Sequence, residues 1–329
     1  MFNFTINSTA KLSQSEILIE IERLVSYFIK YSDYLVAGHL NDRSSPKPFD
    51  FEFYLGFLQA WPKYWQVFSP NHDYSELVWA FWRGGDDCTT RICAQHPNPT
   101  RDHFYNLSEE QVWSIAKMAA LHALKDRDLM RKHSDRRYEI KDRQSKLNAY
   151  VRRLISRYPK LLVVRVDFAY KDEFQHIIGV DHVYAHLRAL NRKKVGNDLF
   201  KHLVGSAWAM EQGHRKGYHL HAVYFFDGNK CQRDMIYGKA IGKHWEIVTD
   251  GMGCHYNCNI KKAEYEANGM RGVGMIHRND ALECENAVKA VGYLAQPEKE
   301  FQHLRMKPSG ARTFATGLFS QSRSKKIIN

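Results

Sequence analysis

The stretch that decides how this chain folds is Met210-Glu211-Gln212-Gly213-His214-Arg215-Lys216-Gly217-Tyr218-His219-Leu220-His221-Ala222-Val223-Tyr224-Phe225-Phe226. Its second half alternates as a half-buried strand does, so His219 and His221, two positions apart, project from one face of a sheet. Two imidazoles side by side can hold a metal ion. The segment Gln212 to Gly217 is rich in Gly and charge and reads as a turn. With Met210-Glu211 ending one strand and Tyr218 beginning the next, a hairpin brings the Glu211 carboxylate beside both imidazoles. The product is a Glu/His/His set of mixed oxygen and nitrogen donors.

Around this hairpin the chain reads as alternating strands and helices. Leu161 to Tyr170 is a buried strand by its β-branched content, and Val180 to Leu190 is a helix ending in basic residues. Val204 to Met210 is the strand entering the hairpin, and Gln232 to Ile247 is the next helix. His255 to Lys261 reads as a strand, and Gly269 to Gly274 as a mobile turn before Met275-Ile276. Asp280 is the N-cap of a helix running through Leu282, Ala287 and Val288 to Tyr293, with Pro297 limiting it. This order suits an α+β fold, an antiparallel sheet with flanking helices gathered on one side. The last helix then carries Tyr293 toward the paired histidines, and tyrosine can act as a nucleophile.

The first half of the chain has a different character. Ser13 and Glu16 form a capping box before the apolar stripe Ile17, Ile21, Leu24, Val25 and Phe28. Asp50 to Phe68 is dense in aromatics, followed by Trp79, Phe81 and Trp82. At helical spacing such rings build a core more often than they stack on bases. Arg83-Gly-Gly-Asp-Asp87 and His96 to Thr100 carry turn chemistry and read as loops, because no Gly-Lys-Ser/Thr completes a phosphate-binding loop. Ser108 with Gln111 opens another helix. From Lys125 to Arg157 charges of both signs alternate, which describes a long solvated helix or linker. The expected organisation is therefore a mainly helical region over 1–158, a catalytic domain over 159–320 and a basic tail over 321–329.

A formal net charge of +12 and a pI near 9.3 point to an acidic partner, of which nucleic acid is the commonest for a basic protein. Arg165, Arg305, Lys307 and Arg312 are the candidate phosphate contacts. No apolar run is long enough to span a bilayer and no secretory signal opens the chain, so the expectation is a cytoplasmic protein with no membrane partner. The six cysteines are widely spread and expected to be reduced. Cys254, His255 and Cys258, with Cys284, have a spacing that zinc can use, but ordinary half-buried thiols are the favoured reading.

The residues resemble the HUH endonucleases, in which a histidine-hydrophobic-histidine run binds a divalent metal and a later tyrosine cleaves single-stranded DNA. Glu211, His219 and His221 match the metal set, and Tyr293 matches the nucleophile of the single-tyrosine replication initiators. More narrowly, Val164 to Phe168, the Gly217 to His221 run, Trp245 with Thr249, Tyr293-Leu294 and Arg312 to Phe314 resemble the YagK/YfjJ C-terminal group of prophage and inovirus replication proteins, over about Lys160 to Phe319. The resemblance implies a ferredoxin/RRM-like sheet, magnesium or manganese, and a partner that is single-stranded DNA or an origin hairpin in a bacterial host. The implied activity is nicking and strand transfer through a tyrosyl-DNA link, as in rolling-circle replication of a phage or mobile element. Transposition and conjugation are the near alternatives, and a catalytically inactive DNA-binding regulator or a water-activating metal hydrolase are the others. Where the family commonly has lysine, three residues after the tyrosine, this chain has Gln296. Lys289 and Lys299 are the candidate substitutes, and Asp167 with Arg165 is a candidate support that orients DNA or the site, an inward aspartate paired with arginine being the plainer reading. The aromatic N-terminal region has duplex recognition or recruitment of a host helicase as its candidate roles.

Overall fold

The computed structural model describes residues 12–30, 53–57 except 55, 67–95, 109–295 except 193 and 195, and 302–317. In chain order the elements begin with α1 (Gln14–Lys30), β1 (His72–Tyr74), α2 (Glu76–Gln95), α3 (Glu109–Lys125) and α4 (Arg127–Arg157). There follow β2 (Lys160–Tyr170), α5 (Val180–Arg192), β3 (Leu203–Gly213), β4 (Gly217–Asp227), α6 (Asp234–Val248) and β5 (Gly253–Asn257). The last are α7 (Lys262–Ala267), β6 (Gly274–His277), α8 (Ala281–Gly292), β7 (Met306–Pro308) and β8 (Phe314–Thr316). Among the described residues no helix is long and apolar enough to cross a membrane.

The chain divides into two compact units, Met1–Asp135 with Arg305–Gly310, and Arg136–Leu304 with Ala311–Asn329. The division falls inside α4 rather than near Pro159. The reason is a stripe that the surrounding charges conceal: Leu147, Tyr150, Val151, Leu154 and Ile155 recur at helical spacing and are buried in the sheet's core. The segment expected to be a long solvated helix or linker is a helix, and its second half belongs to the core.

In the first unit α1, α2 and α3 pack on one another. The capping box forms as expected, with the Ser13 hydroxyl accepting from the Glu16 amide at 3.2 Å while Glu16 Oε2 accepts from the Ser13 amide at 2.8 Å. Of the aromatics, Tyr54, Phe57, Phe68 and Phe81 are buried, in keeping with a core role, whereas Trp79 is partly exposed. Arg83 to Asp87 is not a loop but the middle of α2. Gly84 serves close approach rather than a turn: a Cβ there would lie 2.4 Å from the backbone nitrogen of Ala119 on α3. The loop expected at His96–Thr100, the cap at Ser108, Gln296, Pro297, Lys299 and the 321–329 tail lie outside the described residues.

The second unit is built on a six-stranded antiparallel sheet in the order β5-β2-β4-β3-β8, with β6 also paired to β2. One face carries Leu161, Val163, Val223, Phe225, Ala207 and Ala209, covered by α4 and α8. The opposite face meets α5 and α6, where Phe168 packs on Trp245 with ring centroids 5.1 Å apart and Tyr170 meets His186 at 5.8 Å. Helices thus flank both faces, not one. β4 requires this, because every residue from Gly217 to Phe226 is buried and a strand buried on both sides needs cover on both.

The expected strand His255–Lys261 is shorter and earlier, ending at Asn257, after which the backbone turns into a 3₁₀ segment, Cys258–Lys261. Asn259 explains the turn. Its amide donates to the Val163 carbonyl at 2.9 Å and to Asp234 Oδ2 at 3.0 Å, and its oxygen accepts from the Arg165 amide at 2.9 Å, clamping the departing chain to β2 and α6. The helix expected from Asp280 forms, with Asp280 Oδ1 accepting from the Glu283 amide at 2.9 Å.

Gly84→Ala should destabilise the helical unit by about 1–3 kcal/mol, since a methyl group has no room between α2 and α3. Urea unfolding followed by the fluorescence of that unit's tryptophans should show an earlier midpoint.

Candidate metal centre

β3 and β4 form the hairpin anticipated from the opening stretch. Gly213 pairs with Gly217 across a three-residue loop, and Gly217 closes the loop at φ 55°, a left-handed conformation that glycine adopts without strain. That loop sets the register, which places Glu211 directly opposite His219 and Ala209 opposite His221. On the other side of β4, Asp167 of β2 lies opposite His221, and Tyr256 of β5 lies opposite Asp167. Because side chains at paired positions share a face, Glu211, His219, His221, Asp167 and Tyr256 all emerge from the same side of the sheet.

Glu211, His219 and His221 converge, each buried, with candidate ligand atoms within 4.8 Å of one another. Glu211 Oε2 lies 3.2 Å from His221 Nε2 and 3.5 Å from His219 Nε2. Donors bound about 2.0–2.2 Å from a common ion sit roughly 3 Å apart, so the set fits a metal. The outer ring nitrogens support the same assignment. His219 Nδ1 is 3.1 Å from the Gly217 carbonyl and acts as the donor there, leaving Nε2 as a lone pair facing Glu211. His221 Nδ1 is 2.7 Å from Asp167 Oδ1, an oblique approach in which charge counts for more than hydrogen-bond direction. It too turns Nε2 inward. A buried Glu211–His219–His221 group can therefore hold a metal ion.

Burial by itself lowers the pKa of His221, but the facing carboxylates of Asp167 and Glu211 outweigh it, and the net direction is upward. Without metal, the greater readiness of His221 to hold a proton offsets the two acids.

Asp167 continues the chain of contacts away from the hairpin. Arg165, two residues earlier on β2 and mostly buried, has Nε 3.6 Å from Asp167 Oδ1, and its guanidinium lies 4.9 Å from the centre of the Tyr293 ring. Tyr293 itself is 42% exposed. It occupies the 3₁₀ turn Tyr293–Ala295 that follows α8, one position beyond the helix in which it was expected. The sequence-predicted site residues therefore fall into one connected series: Tyr293, Arg165, Asp167, His221, Glu211, His219. Lys289 is exposed one turn before Tyr293 on α8.

Other candidates are placed elsewhere. Arg305 is 5% exposed and pairs with Glu22 at 2.7 Å, and Lys307 pairs with Asp73 at 3.1 Å, both within the first unit. An arginine so buried is not a phosphate contact; its charge neutralises an equally buried Glu22. Arg312 is exposed, and its carbonyl accepts from the Tyr184 hydroxyl at 3.0 Å. Cys231, Cys254, Cys258 and Cys284 are free thiols, and among the described residues no metal-binding group includes a cysteine. Tyr256 was not anticipated; only the register of β5 on β2 brings it to this face.

An antiparallel sheet covered by helices on both faces, with a carboxylate and two imidazoles beside the turn of its central hairpin, defines an α+β protein with a buried metal-binding group. The chain belongs to the YagK/YfjJ C-terminal domain family, whose match spans residues 125–311, more than half its length and including all of α4's core stripe. No match was found among curated proteins or among solved structures.

Asp167→Asn should weaken divalent-metal affinity by about 10–100-fold, the usual effect of removing a carboxylate that orients a liganding histidine. Titration calorimetry measures it directly. In metal-free protein the raised pKa of His221 contributes stability that is complete below the unfolded value of about 6.5 and is lost as pH rises through the higher folded value. Metal must displace that proton, so affinity should fall with decreasing pH, and proton release on binding should diminish in Asp167→Asn.

Proposed function

We propose that this protein is a metal-dependent endonuclease and strand transferase of the HUH type, which nicks single-stranded DNA through Tyr293 and initiates rolling-circle replication of a phage or mobile element. The observation carrying this reading is the unbroken series from Tyr293 through Arg165 and Asp167 to His221. A tyrosine joined to the metal-binding group through a partly buried arginine and aspartate is the arrangement expected of a nucleophile that works beside that group.

In the proposed reaction the Tyr293 oxygen attacks the scissile phosphorus and gives up its proton. The new phosphorus–oxygen bond replaces the bond to the 3′ oxygen, which departs with a proton as a free hydroxyl. The strand stays attached to Tyr293 through its 5′ phosphate, so the reverse attack by a 3′ hydroxyl rejoins it without ATP. Glu211, His219 and His221 would hold a divalent ion, which supplies polarisation of a nonbridging phosphate oxygen and offsets developing charge. A carboxylate with imidazoles suits manganese or magnesium in this role, although imidazole also takes zinc or nickel. Arg165 holds the Tyr293 ring by a cation–π contact and, through Asp167, ties its position to that of His221. Lys289, exposed on the preceding turn, would meet DNA phosphate in place of the lysine usual three residues after the tyrosine.

Incubation of the full chain with labelled single-stranded DNA and manganese should give a covalent protein–DNA adduct, resolved by denaturing electrophoresis. Tyr293→Phe should give none, and His219→Ala should lower nicking by more than about 100-fold. Cleavage that persists in Tyr293→Phe but fails in His219→Ala would identify a water-activating hydrolase instead. Binding with no cleavage in any divalent metal would identify a regulator.

A further inference from the structure

Beside the metal centre, on the same face of the sheet, lies a second feature that the nicking chemistry leaves unused. A concavity of about 230 Å³ is bounded by His219 and Asp167 on one side and Tyr256 on another. Arg215 and Lys216 of the hairpin loop, and Asp172 with Gln175 beyond the end of β2, complete its rim. Whole-ligand sites occupy roughly 300–1,000 Å³, so this one has room for a single ring system and not for an oligonucleotide.

Its walls have the composition of a nucleotide subsite. Tyr256 is 44% exposed, so a large aromatic face is left uncovered on the strand. Arg215 and Lys216 supply positive charge at the mouth, where a sugar-phosphate backbone would run. Asp172 is the discriminating element. A carboxylate on a surface that binds DNA opposes the backbone phosphates, and it is favourable there when it accepts from a base N–H instead. Gln175 Nε2 donates to Asp172 Oδ1 at 2.9 Å, which fixes the carboxylate and leaves its second oxygen as an acceptor on the rim.

We propose that this concavity is a base-binding subsite, in which Tyr256 stacks the nucleobase adjoining the scissile phosphate and Asp172 selects a base that carries an exocyclic amine. The proposal rests on the single-stranded-DNA reading of the metal centre and deepens it. Thymine, which offers no amine, is the base disfavoured. Tyr256 is a specificity-determining residue and takes no part in bond making.

The test has two arms. In the first, the full-length protein with manganese is given a library of sequence-randomised single-stranded oligonucleotides, and the adducts are sequenced. The wild type should show thymine depleted at one position next to the nick. Asp172→Asn should flatten that preference, and Tyr256→Phe should keep it. In the second, Tyr293→Phe protein is titrated with oligonucleotides bearing the fluorescent base 2-aminopurine. Stacking should quench the fluorescence, and adding Tyr256→Ala should weaken binding about tenfold, within the range of aromatic–base stacking. Adducts whose base preference survives Tyr256→Ala, or show none in the wild type, overturn the subsite while leaving the nickase reading intact. Quenching that depends on Tyr256 without any adduct supports the subsite and overturns the nickase reading. Absence of binding to every single strand overturns both.

Discussion

The pairing of β2 with β4, Asp167 opposite His221, is the constraint on which the second unit depends. Side chains alternate along a strand, so a slip of one residue would turn Asp167 and Arg165 to the face covered by α5 and α6 and bring Val166 and Val164 toward the metal centre. Such a slip is resisted along the whole length of both strands. Val163 and Val223 must meet α4 and α8, while Phe168 must meet Trp245 on the other side. The apolar face and the chemical face of the sheet are thus one commitment. The same alternation that packs the core aims the carboxylates and imidazoles.

The centre is arranged so that each buried charge has an answer close by. Glu211 and Asp167 are both acids on one face, and His221 stands between them in contact with each. Arg165 meets Asp167 from the other side. In a medium of low dielectric, unbalanced acids so close together would resist ionisation, whereas acids bracketing a cation hold it. A divalent ion bound between Glu211 and the two imidazoles would take over the balancing role of the His221 proton, which is why metal and proton compete for the same nitrogen.

Features fixed by a few adjacent residues were legible in the sequence. The hairpin, the cap at Asp280 and the capping box at Ser13 each follow from side chains acting on backbone within a turn of themselves. The metal set was legible for the same reason, its three members falling within eleven positions of one hairpin. Distant packing was not. Gly84 looked like part of a turn because the feature that explains it is the backbone of Ala119, on another helix. The stripe from Leu147 to Ile155 was hidden by its charged neighbours, and Arg305 looked like a phosphate contact because nothing local announces Glu22. Tyr256 needed the register of an edge strand, which no neighbouring residue encodes.

Loop closure distinguishes the two halves of the centre. Glu211, His219 and His221 come together through a three-residue turn, whereas Tyr293 reaches Arg165 only after more than a hundred residues of intervening chain have folded. Short-range contacts form early and at small entropic expense, and long-range ones late. The metal clamp is therefore the half that a folding chain can assemble first and that a weakened variant keeps longest. Tyr293 takes its place only when α8 has docked. A partly folded chain would then capture a metal ion before Tyr293 is positioned, so occupancy of the metal-binding group by itself would not report a completed domain.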